Sequence, residues 1–478
     1  MAHAPTIVWF RDDLRIADNA ALTAAAKHDA PLVCVFVLDE ESKGIRAHGG
    51  ASRWWLAQSL RALDRDLRKL NQKLVLRRGA AADVIPALAR ETQTRHVYWN
   101  RRYDRPGIAA DDAVIAKLRA DGVSGGTFPG NLLVEPERVQ TKDDGPPRVF
   151  TPFWKRVLSM GELRNPLPTP KSLPPAAAGI ETDALEDWQL EPSKPDWAGG
   201  IRETWTVGEA AARERLADFL DDIRGYSEDR DRPGKPATSR LSPHLRFGEI
   251  NPIDIFHAAR FAADKGGSSR DIEKFLSELG WREFSYHLLH HYPDLATINL
   301  QRRFDEFPWR SDANALKAWQ EGRTGYPIVD AGMRELWHTG WMHNRVRMVV
   351  ASFLIKHLLI DWRLGEQWFW DTLVDADPAN NTASWQWVAG SGADAAPYFR
   401  IFNPVLQGET FDPDGMYVRQ WVPEIAGLPD KVIHKPWLAS EATLKDAGIR
   451  LGETYPQPIV GHDMARKRAL AAFEHVKK

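Results

Sequence analysis

The sequence predicts two architectures in one chain: an α/β domain with a parallel sheet first, and an all-helical domain after it. Three observations carry this. Residues 1–133 alternate short β-rich runs with segments of helical apolar spacing. From 162 to 204 the composition turns proline-rich and loses periodicity. After GEAAARERLADFLDDIRGY the spacing is helical almost to the last residue.

The β-rich runs are TIVWF at 6–10, PLVCVFVL at 31–38, KLVLR at 73–77 and HVYWN at 96–100. Helical patterns lie between and after them, at 18–29, 51–70, 81–91 and 109–122. Short connections between alternating strands and helices give a Rossmann-like parallel sheet covered on both faces. RNPLPTPKSLPPAAAGIETDALEDWQLEPSKPDW then reads as a connector wrapped over the surface. The expected organisation is an α/β domain at 1–133, a connector at 134–205 and a helical domain at 206–478. A chain of 478 residues is long enough for two cores.

Composition excludes several classes. The hydrophobic share of 43% and charged share of 27% are those of a globular protein. The net charge of -2 gives no global polycation, which leaves room for a local basic face. One cysteine, Cys34, permits neither a disulfide framework nor a four-cysteine metal site, and its apolar setting predicts an inert core residue. No basic segment followed by an apolar run opens the chain, and no apolar run suits a membrane span. A cytoplasmic enzyme or binding protein is expected.

The familiar motifs are silent. There is no GxxxxGK[ST]. The stretch from Gly390 to Ala395 only faintly resembles a dinucleotide fingerprint, and no strand precedes it. His287, His290 and His291 lack the Glu of an HExxH site, so packing or surface roles are expected and no metal.

The chemistry concentrates in the helical half, which holds most of the 20 tryptophans. Trp can fill a core, stack on a base or carry an electron hole. Thr238, Ser239, Arg240, Leu241 and Ser242 offer hydroxyls, amides and a cation before a helix, which suits a phosphate and also suits a simple N-cap. Glu278, Trp281 and Arg282 fall on one helical face, as do Asn344, Arg347 and Met348. Asp375 and Asp377 precede Asn381, Trp385 and Trp387. Buried acids need partners, and Arg347 is a fitting one for them.

These segments resemble the photolyase/cryptochrome family along nearly the whole chain. The motifs are WFRDDLR at 9–15, FTPFW at 150–154, TSRLSPHL at 238–245 and WREF at 281–284. GYPIVDAGMR at 325–334, GWMHNRVRM at 340–348, IDWR at 360–363 and DADPANNTASWQW at 375–387 follow in the family's order. NRRYD at 100–104 and TYPQPIV at 454–460 are similar to the bacterial class III photolyases of cyclobutane pyrimidine dimers.

The resemblance implies FAD in the helical domain and light-driven repair of pyrimidine dimers in DNA, with a cryptochrome-like photoreceptor as the alternative. It implies that Tyr226, Thr238, Ser239, Arg240, Leu241 and Ser242 hold the phosphates. Arg282, Asn344, Arg347, Asp375, Asp377 and Asn381 would surround the ribose and ring, with Asn381 near N5. Trp385, Trp362 and Trp309 would form an electron chain. Glu278, Asn344, Met348, Trp281 and Trp387 would receive the flipped-out lesion, and Arg345 and Arg400 would touch DNA phosphates. Where relatives that repair (6-4) lesions have histidines, this chain has Asn344 and Met348.

The first domain would hold an antenna chromophore. The expectation is 5,10-methenyltetrahydrofolate, beside Trp54 and Trp55, with a deazaflavin or an empty site as alternatives. Pro106-Gly107 stands where some folate-binding relatives have Asn-Glu. A bacterial, cytoplasmic monomer, nucleoid-associated when on DNA and with no obligate protein partner or membrane contact, completes the expectation.

Overall fold

The computed structural model describes residues 4–141, 145–395 and 399–477. Five parallel strands form one sheet: β1 (Thr6–Phe10), β2 (Leu32–Leu38), β3 (Leu74–Arg78), β4 (His96–Asn100) and β5 (Ser124–Phe128). Their order is β3-β2-β1-β4-β5, with Val8 opposite Cys34 and Tyr98. Every residue of β1 and β2 is buried, as strands covered on both faces require. Cys34 lies in that core, and burial pushes its thiol up to about 12.

The helices are α1 (Ala20–Ala25), α2 (Gly50–Lys69), α3 (Ala81–Glu91) and α4 (Arg105–Ala120). They match the four predicted segments, with one shift. α4 starts earlier because Asp104 caps it, accepting from the Gly107 amide at 2.9 Å. The fifth strand, SGGTF, was not predicted. It is an edge strand with little β-branched character, and its glycines have a packing cause: a Cβ on Gly126 would lie 2.6 Å from the Tyr98 ring.

Compactness divides the chain differently from its predicted domain order. One unit comprises 1–198, 205–224 and 239–293; the other comprises 199–204, 225–238 and 294–478. The division crosses the expected 206–478 domain because two of its helices are tied to the sheet unit. The Glu209 carboxylate, on Glu209–Asp221, accepts from the Ile16 amide at 2.6 Å. Glu283, on the 23-residue helix Ser269–His291, accepts from the Leu133 amide at 2.7 Å.

The second unit is helical around an aromatic core of Trp319, Trp362, Phe369, Trp370 and Trp385. Gly332 lets Pro327–Thr339 approach Asn344–Ser352 closely, since a Cβ there would come within 2.4 Å of Val346. Asn344–Ser352 continues into a π-helical turn, Phe353–His357. Among the described residues no helix is long and apolar enough to cross a membrane.

Candidate flavin and lesion site

In the second unit, an ion pair anchors the polar cluster. Arg347 Nη2 donates to Asp375 at 2.8 Å, and its Nε donates to the Met342 carbonyl at 2.7 Å. Asp375 is buried, so the Arg347 charge supplies the partner that a buried carboxylate requires. Two residues on, Asp377 accepts from the amides of Ala379 and Asn380 at 2.9 and 2.7 Å and so opens the helix Asn380–Ala389. Asn381, in its first turn, donates its amide to Glu366 Oε1 at 2.8 Å and to the Glu366 carbonyl at 3.1 Å. The side-chain oxygen of Asn381 is thereby kept for another donor. A fixed cation, a neutral amide with an acceptor to offer and a buried carboxylate fit the polar edge of a flavin.

Trp385 follows on the same helix. It meets Phe369 edge-on with centroids 5.0 Å apart, and a Cβ on Gly365 would overlap it at 2.1 Å. Trp362 is fully buried and donates its indole N–H to Asn299 at 3.0 Å. Trp309 is half-buried, packed against the same core and against Phe307 at 4.4 Å. The three therefore share one aromatic cluster and run from buried to half-exposed. Trp387 is half-buried and donates to the Asp394 carbonyl at 3.1 Å.

Asn344 is exposed at the start of its helix, which His343 caps by accepting from the Arg345 amide at 3.2 Å. Burial pushes His343 down to about 4, so the cap is neutral at ordinary pH. Met348 is half-buried one turn on. Tyr226 is buried and lies under the Arg230 guanidinium.

In the first unit, Glu278, Trp281 and Arg282 ride the helix Ser269–His291. Lys274 pairs with Glu278 at 3.0 Å. Trp281 stacks on Phe150, centroids 3.8 Å apart. Arg282 departs from expectation. Its guanidinium is buried, donates to the Asn131 carbonyl at 2.7 Å and to Glu283 at 3.1 Å, and lies over Tyr286. Both hydrogen bonds use Nη1, one end of the guanidinium expected to face a ligand. Ser239 and Arg240 are half-buried and Ser242 is exposed, while Leu241 is buried before a helix of only five residues, Ser242–Arg246. Arg240 has a φ of +50°, and its guanidinium lies over Trp205. Thr238, half-buried, precedes this stretch.

Two further expectations are corrected. Trp54 and Trp55 are core residues, 2% and 0% exposed. Trp55 donates to Glu249 at 3.1 Å and packs against Trp205, His244 and Phe247, which leaves no ring face for a chromophore. Arg345 is not an open cation: it pairs with Asp231 at 2.8 Å and covers Phe411. Arg400 is exposed. Pro106 and Gly107 serve the start of α4.

Beyond the carboxyl end of β1, on the side of an open α/β sheet that usually receives a ligand, Asp12 is covered by the chain itself. Arg246 pairs with Asp12 at 2.9 Å, and a Cβ on Gly248 would sit 2.0 Å from the Asp12 carbonyl. His287 packs against Phe153 and Phe284, and burial lowers it to about 4. Among the described residues no group of three His, Cys, Asp or Glu side chains could hold a metal ion.

Sequence reasoning missed Glu366, Phe150 and Asn299, which orient Asn381, Trp281 and Trp362. Each lies 15 or more residues from its partner, so no local spacing signals it.

Comparison with known proteins agrees with this geometry. Residues 275–475 match the FAD binding domain of DNA photolyase, and residues 6–172 match the DNA photolyase family. The chain is 54% identical to the deoxyribodipyrimidine photo-lyase of Agrobacterium fabrum over 99% of its own length and 98% of that protein. It is 40% identical to cryptochrome-2 of Arabidopsis thaliana, over 99% of this chain and 79% of that one. The crystal structure of a bacterial class III photolyase from Agrobacterium tumefaciens superposes with a TM-score of 0.97 at 54% identity, covering 100% of this chain and 98% of the other. The two family matches and the full-length identities agree with the Arg347–Asp375 ion pair, the Asn381 amide held by Glu366 and the tryptophan cluster: the chain belongs to the photolyase/cryptochrome family.

Proposed function

We propose that this protein is a light-driven deoxyribodipyrimidine photo-lyase that uses FAD to split cyclobutane pyrimidine dimers in DNA. The observation that carries the reading is full-length identity of 54% to a protein of that name; Asn344 and Met348, where (6-4) relatives have histidines, support it. FAD, when bound and reduced, supplies the photoexcited electron that opens the cyclobutane ring and takes it back afterwards.

The chain's own residues bind, orient and tune. A dimer inside duplex DNA is reached only by flipping it out, and a damaged pair is easier to unstack. Trp281 and Trp387, both half-buried, stack on the flipped bases, worth roughly 1–3 kcal/mol per base. Glu278 and Asn344 hydrogen-bond the pyrimidine edges, and Met348 packs on the dimer. Arg347, paired with Asp375, would hold positive charge beside the cofactor, and Asn381, held by Glu366, would meet the ring without adding negative charge. Ser239, Arg240 and Ser242, with Tyr226, Thr238 and Leu241, serve the phosphates; Asp377 serves the ribose side. Trp385, Trp362 and Trp309 would pass an electron inward to the cofactor, the hole on half-exposed Trp309 being filled by an external thiol or other reductant in solution. Arg400 contacts DNA phosphates, which position without reading sequence. The protein works as a monomer.

The test is anaerobic repair under blue light of an oligonucleotide with one thymine cyclobutane dimer, with a (6-4) lesion and darkness as controls. Repair of the first alone supports the reading. Glu278→Ala should lower the yield while FAD is retained. A cryptochrome-like receptor is the second reading, favoured by the 40% identity to cryptochrome-2; reduced, FAD-loaded protein that repairs nothing would select it. For the first unit we propose an antenna of the methenyltetrahydrofolate type. The near-ultraviolet absorbance of purified protein separates it from a deazaflavin or none.

A further inference from the structure

A small pocket in the second unit, with a cavity volume of about 20 Å³, is lined by Ser352, Lys356, Trp387, Val388, Gly390, Arg400 and Phe402. Lys356 stands out among them. It is 3% exposed, sits on the π-helical turn Phe353–His357, donates to the Arg400 carbonyl and lies 4.6 Å above the Phe399 ring. Among the described residues it forms no ion pair. A buried ammonium without an anion is costly, and a π-helical turn is a frequent mark of a functional position. Arg400 adds a second cation to the same pocket. Burial first, and Arg400 second, lower the Lys356 ammonium to about 7, so the ammonium lacks the counter-charge that would keep it protonated.

Two cations and a hydroxyl beside an indole are the chemistry of a phosphate next to a base. We propose that this pocket holds a backbone phosphate of the bound DNA strand between Lys356 and Arg400, beside Trp387. The proposal rests on the DNA-repair reading, because Trp387 is there a base-stacking residue and a nucleotide's phosphate lies close to its base. The source of the anion is therefore the strand itself. A free phosphate ion shares the chemistry and is separated by the test.

The probe is a short labelled duplex with one thymine cyclobutane dimer, and the same duplex undamaged, titrated by anisotropy across a salt series. Lys356→Met replaces the buried cation with an apolar chain of similar length. It should weaken both duplexes about tenfold. It should also reduce the slope of log affinity against log salt by about 0.9, the share of one phosphate. FAD content should be unchanged and the melting midpoint equal or higher, because an unpaired buried charge is removed. An unchanged slope with a lowered midpoint would make Lys356 a strut for the Arg400 carbonyl and overturn the proposal. Inorganic phosphate that binds the wild type, and is not displaced by undamaged duplex, would mark a free-phosphate site and also overturn it.

Should Lys356→Met not fold, the wild type gives the answer through calorimetry of DNA binding in two buffers of different ionisation heat above pH 7. Net proton uptake supports the phosphate contact; none overturns it. The groups facing Lys356 are Arg400, always charged, and His357, which burial holds near 3 and therefore neutral. Loss of repair with the salt signature intact would sink the enzymatic reading and spare the site; the converse would do the reverse.

Discussion

Phe150 and Trp281 stack face to face, their ring centroids 3.8 Å apart and their planes 8° from parallel. Phe150 opens the helix Phe150–Ser159, far in sequence from the helix that carries Trp281. One face of Trp281 is thus covered inside the protein, and the proposed role uses the other for a base. Phe150→Ala removes that support. Affinity for dimer-containing DNA should fall about tenfold, from the roughly 0.5–1.5 kcal/mol of an aromatic pair plus lost orientation. FAD content should not change, and anisotropy against damaged duplex reads the difference.

In the proposed electron chain, Gly365 packs directly against Trp385. An added Cβ would overlap the Trp385 ring at 2.1 Å, so the ring must move. Gly365→Ala should cost about 1–3 kcal/mol of stability. Flavin photoreduction should slow, while repair by chemically reduced protein is spared. Trp362→Phe should slow photoreduction because a phenyl ring is far harder to oxidise than an indole, and should also cost stability through the cavity and the lost bond to Asn299. Flash photolysis reads the photoreduction, and a melting curve the stability.

Asn381 faces a carboxylate, Glu366, at 2.8 Å. Asn381→Asp would set two acids against each other and place a negative charge where a reduced anionic flavin is expected. One hydrogen bond to a charged group is worth about 1.5–3 kcal/mol. The reduced cofactor should be disfavoured by an amount in that range, read as a lowered flavin reduction potential. An unmoved potential would remove Asn381 from the N5 position.

Glu283 links pH to the first unit. Burial pushes its carboxyl up to about 7 from 4.5, against the opposing pull of Arg282 and the Leu133 amide. The folded protein then keeps a proton that the unfolded chain gives up. Stability from this group is whole below 4.5 and is lost as pH rises to about 7. Glu283→Gln should flatten the fall in melting midpoint over that window. A wild-type midpoint that rises there would contradict the assignment.

Local pattern was enough for much of this molecule. Four of the five strands announce themselves by short β-rich runs, buried throughout in β1 and β2, and α1 to α4 by their spacing. The order of long motifs from Trp9 to Trp387 identified the family. β5 escaped because its sequence is dictated by a neighbour, the Tyr98 ring, and not by its own propensity. The burial of each tryptophan was also hidden: Trp54, Trp55, Trp362 and Trp385 are enclosed, whereas Trp309, Trp281 and Trp387 are half-buried.

Sequence by itself determined the residue types, their local helices and strands, and the family, because those depend on neighbours a few positions apart. Tertiary structure alone decided which charge meets which. It gave Arg347 to Asp375, Arg345 to Asp231, Arg282 to Asn131 and Glu283, and left Lys356 buried without an acid among the described residues. Such pairings follow from desolvation and distance across the folded chain, which no spacing along it encodes.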